Sequence, residues 1–142
     1  MTLAILPPKT EPMVDDDKFS TLNWIIFFEG LANGDLGTAW TPTFVGLTET
    51  GTATKTGVYY RINKKLAYFR IVITPSTDTS STLGTTYCDN FPLTITSDSF
   101  CSTTSGFIAD VSGVTASTKR IWTPNWTAIT NYVTITGILE VS

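Results

Sequence analysis

The sequence predicts a mainly β protein: an antiparallel β-sandwich or barrel-like domain, preceded by a short N-terminal helix and assembled as a homotrimer. Three observations predict it. Thr makes up roughly a fifth of the chain, and Thr favours pleated strands. From residue 36 onward, short segments alternate apolar and polar residues and are separated by turn-forming residues, which is typical of strands. Residues 19–31, in contrast, are apolar at helical spacing.

The composition describes a folded chain with few charges. Of its 142 residues, 42% are hydrophobic and 15% are charged, so a core can form and disorder is disfavoured. The formal net charge of −3 argues against a nucleic-acid partner, which requires a basic surface. A surface poor in Lys and Glu but rich in Thr and Ser is more typical of virion or extracellular β proteins than of cytosolic enzymes.

Residues 1–18 are predicted to form an extended leader. Pro7, Pro8 and Pro12 exclude a regular helix or a central strand there. Lys9 is the only basic residue of the first 14, so we expect no signal peptide. No apolar run approaches the roughly 18 residues of a membrane span. We therefore expect synthesis in a cytoplasm, no membrane insertion, and action elsewhere without Sec-type export.

Residues 19–35 are predicted to form an oligomerising helix and the turn that ends it. The Asp run at 15–17 supplies N-cap candidates. Apolar residues cover much of the helix circumference, which is typical of a buried helix. Packing with symmetry mates is the preferred interpretation, and packing of a single helix on its own β domain stays open. The candidate oligomerisation residues are Phe19, Leu22, Ile25, Ile26 and Leu31.

Residues 36–142 are predicted to form the β domain. Residues 58–62 and 66–73 are expected to pair as a hairpin around 63–65. Residues 75–81 are expected to be a loop. Further strands are predicted at 87–95, interrupted by Pro92, and at 105–111, 121–122 and 132–141. In the last of these, Val133, Ile135, Gly137 and Leu139 alternate with Thr134, Thr136, Ile138 and Glu140.

The chain offers few candidates for catalysis or metal binding. It contains no His, so the common general base and the usual triads are absent. We expect no enzyme activity, no metal site and no cofactor. Cys88 and Cys101 are either two free thiols, which is preferred, or a disulfide between neighbouring strands. Four Asp residues are interpreted as turn formers, with a glycosidase acid–base pair as the remote alternative: Asp78, Asp89, Asp98 and Asp110.

One segment is a candidate for glycan contact. Trp122 and Trp126 flank 123–125 in a turn-like region. An indole face can cover a sugar ring, and the Asn125 amide can hydrogen-bond to hydroxyls. Burial of both Trp side chains in the core or in a subunit interface is the alternative and the commoner outcome.

Five segments occur in a distinctive order: 40–47 (WTPTFVGL), 51–62 (GTATKTGVYYRI), 66–69 (LAYF), 91–93 (FPL) and 131–139 (NYVTITGIL). In this order they resemble a C-terminal β domain that recurs in bacteriophage tail-fibre, spike and head-fibre proteins. Phe91-Pro92-Leu93 resembles the L-P-F-P element of that family, and 131–139 resembles its closing strand. The match covers 36–142. It departs at 63–65, which replaces a short Gly-Asn turn, and at Ile138-Leu139, where an aromatic residue often occurs.

The resemblance implies a homotrimeric virion appendage. Its leader would contact other virion proteins, and its β domains would meet a host or virion surface, including host glycans. The resemblance assigns no catalytic residue to this chain, and function does not follow from the fold alone. The expected function is therefore attachment by a fibre or spike subunit. A structural capsid or tail decoration protein is the alternative, and a polysaccharide depolymerase is the remote one.

Overall fold

Two antiparallel sheets account for the strands of the computed structural model, which describes residues 37–106 and 108–142. The twelve strands of this described part are β1 (Thr38–Trp40), β2 (Phe44–Val45), β3 (Thr48–Thr50), β4 (Thr54–Arg61), β5 (Leu66–Thr74), β6 (Asp78–Ser81), β7 (Tyr87–Cys88), β8 (Ser99–Ser105), β9 (Ile108–Thr115), β10 (Arg120–Trp122), β11 (Trp126–Ile129) and β12 (Val133–Glu140).

The large sheet has nine strands in the order β1-β4-β5-β12-β8-β9-β10-β7-β2 and curls into a half-barrel. The small sheet has three strands in the order β11-β6-β3. The predicted antiparallel, mainly β class is thereby confirmed. The curled sheet corresponds to the barrel-like rather than the sandwich form of the prediction.

The predicted hairpin is confirmed as β4 and β5. Its register runs from Thr54 opposite Thr74 to Arg61 opposite Ala67. The Asn63 side-chain oxygen accepts hydrogen bonds from the backbone N–H groups of Lys65 and Leu66, at 2.7 and 2.9 Å. This local pairing is why Asn suits the turn.

The core lies on the concave side of the strands at the centre of the large sheet. On β5 every second residue is fully buried, and on β12 the same holds at Val133, Ile135 and Leu139, while Gly137 is partly exposed. The alternation predicted for the last strand is therefore confirmed except at Gly137. Burial of each Val, Leu, Ile or Phe side chain contributes about 1.5–3 kcal/mol to the stability of the fold. The fully buried apolar residues of these two strands are Ala67, Phe69, Ile71, Ile73, Val133, Ile135 and Leu139.

A cluster of aromatic rings closes one side of this core. Trp40 from β1 packs edge-to-face on Tyr59 from β4 and on Phe91, with ring centroids 5.8 and 5.4 Å apart. Phe91 also contacts Phe69 at 5.8 Å. Each such pair contributes about 0.5–1.5 kcal/mol beyond its buried area. The aromatic residues of four separate motifs thus meet in one place and serve packing.

Three sequence-based boundaries were wrong. Asp78–Ser81 forms β6 inside the expected loop, because it pairs with β3 on one side and β11 on the other. The expected strand at 105–111 is two strands, since the chain turns at Gly106 between β8 and β9. Of the expected strand at 87–95, β7 covers two residues, and Ile95 forms an isolated bridge with Val141.

Other expectations concern residues that lie outside the described part. They include the leader, the helix and the five candidate oligomerisation residues Phe19, Leu22, Ile25, Ile26 and Leu31. These remain predictions, as does the homotrimer. Among the described residues, no helix is long and apolar enough to cross a membrane.

Candidate functional site

The structure separates the two Trp residues of the candidate glycan segment. Trp126 begins β11 and is buried, with 4% of its surface exposed. Its indole N–H donates a hydrogen bond to Oγ1 of Thr79, at 3.2 Å. Thr123 and Pro124 are buried as well. Trp126 is therefore part of the core and offers no free face to a sugar.

Asn125 is exposed, but its side-chain oxygen accepts a hydrogen bond from the backbone N–H of Leu83, at 2.6 Å. Its amide nitrogen remains available to a ligand. Of the predicted triplet, only Trp122 and Asn125 thus reach solvent. Whether this segment contacts a glycan remains a prediction.

Trp122 belongs to a different surface, the convex face of the large sheet. On β10 the buried Ile121 points inward, so Arg120 and Trp122 point outward. Trp122 is opposite Tyr87 on β7, and their rings meet edge-to-face at 4.9 Å. The Trp122 N–H donates a hydrogen bond to Oγ1 of Thr115, at 3.1 Å, which fixes the orientation of the indole.

Arg120 completes this cluster. Its guanidinium carbon lies 3.9 Å from the centroid of the Tyr87 ring and 5.4 Å from that of Trp122. These distances are within the range of cation–π attraction. All three side chains are half-buried. We call Tyr87, Arg120 and Trp122 the aromatic–arginine patch. It presents two ring systems and one positive charge from three residues on two neighbouring strands.

A second surface, which sequence analysis missed, crosses the middle of the same convex face. Tyr68, Phe100, Val111 and Ile138 line a shallow groove of about 370 Å³. Phe100 is 79% exposed, Val111 60% and Ile138 53%. Tyr60 extends this surface, because its ring lies 5.0 Å from that of Tyr68. We call these five residues the apolar patch. The available signal was Ile138, an apolar residue at a position where the alternation of β12 places polar ones.

Three of the four candidate Asp residues accept a hydrogen bond from another residue. Asp78 accepts a bond from the Thr50 hydroxyl, Asp98 from the Ala116 N–H, and Asp110 from the N–H of Val111. Asp89 is exposed. No group of three or more metal-ligating side chains occurs in the part of the chain that the structure describes.

Cys88 and Cys101 are buried free thiols, as the preferred interpretation expected. They lie on β7 and β8, and β9 and β10 separate these strands. Burial raises the pKa of Cys88 to about 11 and also raises the pKa of Cys101. Both thiols are therefore protonated at neutral pH and poorly suited to nucleophilic attack.

Comparison with known proteins gives no match: no family model, no curated protein and no solved structure corresponds to this chain.

Proposed function

We propose that this chain is a bacteriophage fibre or spike subunit whose β domain attaches the particle to a host or virion surface. The observation that carries the proposal is the aromatic–arginine patch. Trp, Tyr and Arg are the residue types that most often dominate binding energy at interfaces. Here one of each lies in contact on the convex face of a sheet.

The patch suits recognition because its geometry is set in advance. Neighbouring strands position the three side chains, and the hydrogen bond to Thr115 orients the indole. Binding of a ligand would therefore cost little side-chain entropy at these three residues. Ring faces suit the apolar side of a pyranose, and the guanidinium suits its acidic or hydroxyl groups. A host-surface glycan is the ligand class we propose.

The test is binding of the purified full-length protein to cells of candidate host bacteria, with lipopolysaccharide-stripped cells as a control. Trp122→Ala and Arg120→Ala should each weaken binding at least tenfold. Tyr132→Ala is the matched control, since it removes an exposed aromatic side chain outside the patch. Equal binding by all variants, with unchanged melting temperatures, would refute a role for the patch.

One observation favours the alternative, a structural capsid or tail decoration protein. That function predicts burial of both Trp122 and Trp126; Trp126 is buried, whereas Trp122 is half-buried. In that case the protein would bind purified virions or capsids rather than cells, and the Trp122 and Arg120 variants would retain this binding. The homotrimer and the contact of the leader with other virion proteins are proposals that both functions share.

A further inference from the structure

The apolar patch lies on the solvent-exposed face of the large antiparallel sheet, where polar residues are normally found. Contiguous apolar side chains that remain exposed on a folded domain usually mark an interaction surface. The register places Tyr60 opposite Tyr68, and Tyr68 opposite Ile138. Phe100 on β8 adjoins Ile138 in the same groove. With Val111 on β9, the patch thus crosses five adjacent strands, β4-β5-β12-β8-β9.

Phe100 is open on the side of β9 because its partner there is Gly113. A Cβ atom built on Gly113 would meet nothing within 4 Å. Neither a side chain of β9 nor any other described residue fills this space. The Phe100 ring is therefore accessible to solvent from the side of β9.

Two opposite charges flank the patch. Arg70 follows Tyr68 by two residues on β5, and Glu140 follows Ile138 by two residues on β12. Because the strands are antiparallel, these two side chains lie on the same convex face but at opposite ends of the patch. Both are exposed. Neither forms an ion pair within the described residues, where the one ion pair joins Lys55 and Glu49.

We propose that a second copy of this chain covers the apolar patch, through a two-fold contact between the convex faces of two large sheets. A two-fold axis in the plane of the contact, crossing the strands near Tyr68 and Ile138, exchanges the two ends of the patch. The Arg70 end of one copy then faces the Glu140 end of the other. The charge pattern is therefore complementary to itself.

The same axis brings the apolar side chains of the two copies together. Tyr60, Tyr68, Ile138 and Phe100 lie along it, so each meets its own counterpart or a close neighbour. This is the isologous arrangement that two-fold contacts require. Where the axis crosses β5 and β12, the two curved sheets can approach at the usual face-to-face separation of about 10 Å. This contact is independent of the aromatic–arginine patch and of the proposed attachment function.

The first test is the mass of the full-length protein by sedimentation velocity over the micromolar range. We expect an even number of copies: two, or six if residues 19–31 also join three chains. Phe100→Asp should halve that number, because it places a charge in an apolar contact. Tyr132→Asp is the matched control and should leave the mass unchanged, since Tyr132 is exposed outside the patch.

The second test is a charge exchange. Arg70→Glu and Glu140→Arg should each weaken the contact, by roughly tenfold in Kd because symmetry makes every substitution affect two ion pairs. The double variant Arg70→Glu/Glu140→Arg should restore the wild-type Kd. Restoration depends on the two residues facing each other across the contact, so loss of folding cannot produce it.

The proposal is overturned by a wild-type protein that has one or three copies at every concentration, or by an unchanged mass of Phe100→Asp. A double variant no tighter than the single variants also overturns it. If Phe100→Asp instead lowers the melting temperature without changing the mass, another part of the same chain covers the patch, and the second copy is excluded.

Discussion

Gly57 on β4 lies directly under the indole of Trp40. A Cβ atom at Gly57 would approach three ring atoms of Trp40 at 2.6–2.7 Å, well inside van der Waals contact. The absence of a side chain at Gly57 is what lets Trp40 reach Tyr59 and Phe91. One glycine thus determines how the edge strand β1 closes over the core.

We predict that Gly57→Ala lowers the free energy of unfolding by about 1–3 kcal/mol, the usual cost of overpacking. The added methyl group must displace the Trp40 ring and so disturb its contacts with neighbouring aromatic residues. Urea denaturation followed by Trp fluorescence measures the effect.

Gly113→Ala is the matched control for this prediction. Gly113 is also inside a strand, but a Cβ atom there meets nothing within 4 Å. It should leave stability unchanged or raise it by less than about 1 kcal/mol, because Ala restricts the unfolded chain. Equal effects of the two substitutions would refute the steric role of Gly57.

The strongly periodic parts of the fold could be predicted from sequence. The β4–β5 hairpin and β12 follow from alternation and from the Asn63 turn, both of which are local signals. By contrast, β6 could not be predicted: its residues Asp78–Ser81 are all Asp, Thr or Ser, and only pairing with β3 and β11 makes them a strand. Such pairing depends on contacts between residues distant in sequence, so tertiary structure overrides propensity.

The candidate sites also depend on contacts between distant residues, which local sequence does not show. A turn-like sequence brings Trp122 and Trp126 close along the chain but cannot show that one points outward and the other into the core. The aromatic–arginine patch could not be found because Tyr87 and Arg120 are 33 positions apart and meet only through the pairing of β7 with β10. The apolar patch likewise requires the register of five strands.

We predict that the two Trp residues differ sharply in their effect on stability. Trp126→Ala should cost about 3–5 kcal/mol, the usual range for removal of a buried aromatic side chain. It also leaves the Thr79 hydroxyl, which lies in the core, without the indole N–H. Trp122→Ala should cost less than half as much, because its ring is half-buried. Thermal melts of both variants test this, and similar losses of stability would show that Trp122 serves packing.

The buried hydroxyl of Thr123 links the small sheet to the segment beside β7 through hydrogen bonds. We predict that Thr123→Val lowers the free energy of unfolding. The hydroxyl of Thr123 lies 2.6 Å from Oγ of Ser81 and 3.1 Å from the carbonyl oxygen of Thr86. Val keeps the shape but removes both bonds, at a cost of about 1–3 kcal/mol. Thr127→Val, at an exposed position nearby, should change stability by less than about 0.5 kcal/mol. Equal denaturation midpoints for the two variants would contradict the role of Thr123.

The last prediction concerns stability in alkali. Burial raises the pKa of Cys88 to about 11, from an ordinary value of 9.0. The unfolded chain therefore loses this proton at a lower pH than the folded chain. The contribution of Cys88 to stability is fully present below about pH 9 and is lost as pH rises through about 11.

Urea titrations of the wild type and Cys88→Ala at pH 8 and at pH 11 test this prediction. The wild type should lose about 2 kcal/mol more than the variant between these values, since each pKa unit corresponds to about 1.4 kcal/mol and the folded-state thiol is only half ionised at pH 11. The comparison isolates the effect of Cys88, because every other ionisable side chain is present in both proteins. The same pH dependence in both proteins would show that the Cys88 thiol is no harder to ionise in the folded state than in the unfolded one.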